Sequence, residues 1–164
     1  DVPLLFWTAA AWGAAIAVSK DNPDLVADLP LVEAMLDRAL ALDETYESGA
    51  IHGLLITLEM SRRSQAGDPV LRAKQHLDRA MELAQGKSAS PLVSYAEAVC
   101  IQKQDRAGFV ALLQQALAID PDAEPKLRLI NLIAQRRARW LLQRVDDLFA
   151  EPEPPSGPGP EKKD

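Results

Sequence analysis

One short pattern restricts the fold more than any other. Leu36-x-x-Ala39-Leu40-x-Leu42 recurs as Leu77-x-x-Ala80-Met81-x-Leu83 and again as Leu113-x-x-Ala116-Leu117-x-Ile119. These apolar positions gather on one face only at helical spacing; a strand would split them between its two faces. Each alanine is the small residue at which a neighbouring helix approaches closely, and the flanking aliphatic side chains fill the seam. Composition agrees: Ala and Leu supply 50 residues against 19 for Val, Ile and Thr, a balance that favours helix over sheet.

Prolines set the boundaries. Asp68-Pro69, Ser90-Pro91 and Asp120-Pro121 each place a capping side chain before a proline, a helix-start signal. Pro3, Pro23, Pro30 and Pro125 fit starts or connectors, and Gly67 and Gly86 mark exits. The spacing predicts seven helices, over about 4–20, 29–43, 47–63, 69–85, 91–103, 105–119 and 125–149. The alanines of the recurring pattern are 41 and 36 residues apart, near the ~34-residue period of tetratricopeptide repeats. The fold expected is therefore all-α: about three tetratricopeptide-like helical hairpins and a long C-terminal helix, with a loop insertion around Arg62–Asp68. In such arrays the first helix of each pair lines the concave face. Residues 1–150 form the helical repeat domain. The Pro- and Gly-rich stretch 151–164 has nothing apolar to bury and is expected to be a disordered tail.

Charge is unevenly placed. Residues 1–124 carry 10 basic and 18 acidic side chains, whereas 125–150 carry six basic and two acidic, within a net charge of −6. The acidic balance argues against a nucleic-acid partner, and the single Cys100 excludes an internal disulfide. Val2 to Val18 contains no charged residue and Ala15-Ile16-Ala17 looks like a signal-peptidase site, but Asp1 stands where a basic region belongs. The stretch is also short of the ~20 residues that span a bilayer, so a buried core helix is expected.

The last helix is apolar on two sides. Leu127, Ile130, Ala134, Ala138, Leu141, Val145 and Leu148 share one face, and Leu129, Leu132, Ile133 and Trp140 lie opposite, among Arg128, Arg136 and Arg139. Such a helix is either sandwiched within the fold or meets a partner along its second side. No catalytic constellation emerges: His52 and His76 sit on different helices without a nucleophile signature, and no glycine loop could cradle phosphate. The chain is expected to be no enzyme and to need no cofactor or metal. His52, Glu59 and Arg63 lie toward one side of the third helix, either as a solvated stripe or as the polar lining of a groove. Trp7 and Trp12 suit a core or an aromatic-lined ligand passage. Tyr95 has a polar tip that needs water or a partner. Asp105, in Gln104-Asp105-Arg106, is placed to cap the sixth helix.

Several stretches together resemble one family: Asp1-Val-Pro-Leu-Leu-Phe-Trp-Thr-Ala-Ala-Ala-Trp-Gly13, Ser19-Lys-Asp-Asn-Pro-Asp-Leu-Val-Ala-Asp-Leu-Pro30, Ala39-Leu-Ala-Leu-Asp43, Gln104-Asp-Arg106 and Asn131-Leu-Ile-Ala-Gln-Arg-Arg-Ala-Arg-Trp-Leu-Leu142. They resemble the T component associated with TRAP (tripartite ATP-independent periplasmic) transporters. The resemblance implies an α-helical accessory subunit of the periplasm, commonly lipid-anchored upstream of the segment matched here. It also implies trimeric assembly, docking of the substrate-binding P component and passage of a hydrophobic small molecule. On this basis Trp7, Trp12, His52 and Tyr95 are the expected ligand-lining residues, and Arg136, Arg137, Arg139 and Trp140 the expected partner-binding ones. Further helices usually precede this segment in the family, so the chain looks like a C-terminal portion. It departs from the family pattern at Gly53-Leu54 and at Gln102-Lys103. The competing reading is a cytoplasmic repeat scaffold that holds peptide tails in its groove.

Overall fold

The computed structural model describes residues 1–62 and 66–150, and among these every regular element is helical. In chain order they are α1 (Val2–Val18), α2 (Pro23–Ala27), α3 (Leu29–Leu42), α4 (Ala50–Glu59), α5 (Pro69–Leu83), α6 (Ser90–Tyr95), α7 (Ile101–Lys103), α8 (Arg106–Ala118), α9 (Arg128–Leu142) and α10 (Val145–Leu148). A π-turn, Ala96–Cys100, joins α6 to α7 in one continuous rod. The expected tail 151–164 and Arg63 lie outside the described residues.

Side-chain capping fixes three of the starts, those of α2, α5 and α8. Asp68 Oδ1 accepts from the Val70 N–H at 2.9 Å, and Asp105 Oδ1 accepts from the Gly108 N–H at 2.9 Å. Both satisfy amides that a helix's first turn leaves without a partner. Two starts depart from expectation. Ser90 lies inside α6, whose entry is held instead by the Ala89 N–H donating to Asn131 Oδ1 at 2.8 Å. Asp120 forms a local turn, accepting from the Asp122 N–H at 2.9 Å, and helix resumes only at the 3-10 turn Pro125–Leu127.

Packing follows chain order. α1 packs on α3, α4 on α5, and the α6–α7 rod on α8. The second helix of each pair also touches the first helix of the next, so α3 meets α4, α5 meets α6 and α8 meets α9. The three pattern alanines, Ala39, Ala80 and Ala116, are each 0% exposed, and Leu36, Leu77 and Leu113 are buried beside them. Gly49, at the turn before α4, has φ 89°, and a Cβ there would sit 3.3 Å from the Ala80 Cα. Glycine is required both for the left-handed backbone and for the close approach of α5.

Three expectations are corrected. The helix foreseen over 125–149 is interrupted at Gln143–Arg144: α10 turns back so that Phe149 is buried against Phe109, ring centroids 5.0 Å apart. The inner face of α9 carries Asn131 and Gln135, both buried, while Ile130 is exposed. Asn131 donates to the Lys87 carbonyl at 2.8 Å, and Gln135 donates to the Ala116 and Ile119 carbonyls at 3.1 and 2.6 Å. These amides satisfy the carbonyls at the ends of α5's exit loop and α8, so polar side chains outcompete an aliphatic one there. The first helix is also not wholly buried. Phe6, Ala9 and Ile16 face the core, but Leu4, Trp7 and Val18 are exposed.

Candidate functional site

Buried side chains form two apolar clusters. One joins α1, α3 and α4 through Phe6, Ala9, Ile16, Val32, Leu36, Ala39, Ile51, Leu55 and Leu58. The other surrounds α8 and includes Phe109, Leu113, Ala116, Ala138 and Leu141. The first has a cleft beside it. Between α1, α3 and α4 lies a cleft of about 650 Å³, within the ~300–1,000 Å³ of small-molecule pockets. Ala9, Ala10, Gly13 and Ala14 form one wall and Leu54, Leu58 and Met60 another, with Thr57, Ser61 and the exposed Lys20 as its polar members. The run of small residues along α1 supplies helix without bulk, so α1 and α4 face each other without closing the gap.

A polar network fastens α3, α4 and α5 alongside that cleft. Glu59 is 1% exposed. Arg62 Nη1 donates to Glu59 Oε1 at 3.0 Å and Arg62 Nε to Glu33 Oε2 at 3.3 Å; Arg62 also pairs with Asp37, and Arg72 with Glu59. Burial pushes the Glu59 carboxyl up, but hydrogen bonds from Arg72 and Arg62 outweigh it and leave the group below its ordinary value. One turn away, His52 Nδ1 lies 2.8 Å from His76 Nδ1, and His52 Nε2 lies 3.2 Å from Glu44 Oε1. A hydrogen bond between two imidazole nitrogens needs one bare nitrogen, so at most one ring is charged. Burial lowers the His52 pKa, and burial together with the neighbouring His52 lowers that of His76 to about 4. Arg79 grips Glu44 through two hydrogen bonds, 2.8 and 2.6 Å, and holds its carboxyl down at about 2. Among the described residues, no group of three or more His, Cys, Asp or Glu is arranged to hold a metal ion.

The expected site residues fall into four separate places. Trp7 is exposed and meets Phe6 edge-on at 5.2 Å, while Trp12 is half-buried against the first core; neither lines the cleft. His52 is buried in the polar network, and Tyr95 packs half-buried against the second core, where burial raises its hydroxyl pKa. Arg136, Arg137, Arg139 and Trp140 share α9. Arg137 lies 4.3 Å over the Trp140 ring and Arg144 4.5 Å over it, while Arg137 Nε donates to Glu97 Oε1 at 3.0 Å. Sequence reasoning missed the partners of His52 and Glu59. The available signal was the spacing of Arg72, His76 and Arg79, which gathers three basic groups on one face of α5 opposite the acidic groups of α4 and its approach.

The described residues are all-helical, with a largely apolar cleft beside one core and an exposed apolar and basic face on α9. The profile of the TRAP transporter T-component family matches residues 1–149, and the chain belongs to that family. An uncharacterized protein of Treponema pallidum (strain Nichols) is 30% identical over 151 residues, which cover 92% of this chain and 47% of the relative. The chain thus spans about half the length of the curated relative it matches. No helix among the described residues is long and apolar enough to cross a membrane.

Proposed function

We propose that the chain belongs to a periplasmic accessory subunit of a TRAP-type transporter that docks the solute-binding P component and holds an apolar small molecule between α1 and α4. The cleft carries this reading. Its walls are mostly alanine and aliphatic side chains, and its polar members, Thr57, Ser61 and Lys20, suit one hydroxyl or anionic head group on an otherwise apolar ligand. A gap lined this way costs the protein contacts that only an apolar occupant restores. The resemblance to T components supports the periplasm, a homotrimer and a lipid anchor upstream of this segment.

The test is native mass spectrometry of the full-length protein purified with its solute-binding component. A complex at micromolar concentration, together with an apolar adduct released by organic extraction, is the expected result. Absence of both contradicts the reading. The adduct should diminish in Ala10→Phe, whose side chain enters the cleft.

A further inference from the structure

The outer face of α9 is unusual for a helix face that no other described element covers, since such faces are normally polar. Here Leu129, Ile133, Arg136 and Trp140 follow one another at spacings of four, three and four residues, which aligns them in a single stripe. Leu129 is 71% exposed, Ile133 56% and Trp140 39%, with Leu132 beside them at 38%. The opposite side, with Asn131, Ala134, Gln135, Ala138 and Leu141, is buried in the fold. The stripe is therefore an exposed surface in the described structure.

Its charge indicates what fits it. α9 contains no acidic residue. Arg128 is paired with Asp122 and Arg137 with Glu97, whereas Arg136 and Arg139 are exposed with no ion pair to a described residue. Trp140 is held between Arg137 and Arg144, so its ring is fixed in place before anything binds. A fixed tryptophan and arginines around an aliphatic centre have the composition of a protein hot spot. A membrane surface fits less well, since lipid-binding segments gather about 4–8 free basic groups and need no preformed stack.

We propose that this stripe is the docking surface for a folded protein that offers an apolar groove edged with carboxylates, Arg136 and Arg139 meeting its rim and Ile133 and Trp140 its floor. The identity of that protein rests on the reading above, which makes it the solute-binding component. The test measures the affinity of the full-length protein for that component in the wild type, in the Arg136→Glu/Arg139→Glu double variant, in Ile133→Ser, and in Lys74→Glu on exposed α5 as a control. All four are checked for retained helicity and melting temperature. Affinity should fall at least about 10-fold in the double variant and in Ile133→Ser, weaken with added salt in the wild type, and stay within about 3-fold for Lys74→Glu. If the wild type binds and the α9 variants bind equally well, the surface is wrong and the accessory role stands. If the wild type does not bind, both fail. Binding of the wild type to anionic phosphatidylglycerol vesicles that the α9 variants lose, without any change in protein affinity, overturns the proposal in favour of a membrane contact.

Discussion

The two cores draw on the same residue types and put them to different ends. Around α8, Phe109, Leu113 and Ala116 are all 0% exposed, and Phe149 folds back from the chain's far side to close over them. Around α1, a comparable set of Ala, Leu and Val side chains leaves a cleft of about 650 Å³. The difference lies in α1. Its Ala9-Ala10-x-x-Gly13-Ala14 segment offers no side chain long enough to reach Leu54 and Leu58 across the gap. Close packing is a matter of which residues line the seam, and tight interiors are sensitive to changes of even one methylene. A fold can therefore carry a cleft beside one core at little cost to its packing elsewhere.

The largest contrast should come from truncation. Phe109→Ala removes a fully buried ring from the filled core and is expected to cost about 3–5 kcal/mol in urea unfolding. A loss below about 1 kcal/mol would mean that this core is loosely packed as well. Enlargement should then separate the two regions. Ala116→Leu overfills a closed seam and should cost about 1–3 kcal/mol. Ala10→Leu projects into the cleft and should leave stability within about 0.5 kcal/mol of wild type or raise it.

The polar joint between the regions gives a pH test. His76 titrates at about 4 in the fold against an ordinary 6.5, and His52 is also lowered. Below about pH 6.5 the unfolded chain takes up protons that the folded chain refuses, so stability should fall between roughly pH 6.5 and 4. Urea midpoints measured across that window should decline, and His76→Gln should flatten the decline. A smaller effect is expected at Gly13, a cleft-lining glycine within α1. A Cβ there meets Val32 Cγ1 at an ordinary 3.7 Å, so Gly13→Ala should stabilise by about 0.5–1 kcal/mol through helix propensity alone. No change in melting temperature would show that α1 is not a settled helix.

Much of the fold was legible because one sequence pattern recurs. The recurring Leu-x-x-Ala pattern located Ala39, Ala80 and Ala116, and helical periodicity separated the two faces of α9, although Ile130, expected on the inner face, is exposed and Asn131 and Gln135 are buried there. The cleft was not legible, because it is an absence of bulk between residues from three helices and has no local signature. Trp7 and Trp12 drew attention as the large residues of α1, whereas the cleft is lined by the small ones between and beyond them. The pairing of His52 with His76 depends on contact between α4 and α5, and periodicity within one helix cannot report a partner on another.

The most direct measurement follows alanine methyl resonances while the full-length protein is pressurised with xenon, an apolar atom that enters only dry apolar space. Ala9, Ala10 and Ala14 should shift together with Leu54 and Leu58, while Ala116 and Ala138 in the filled core stay fixed. Uniform shifts in both regions, or none beside α1, would contradict an open first core.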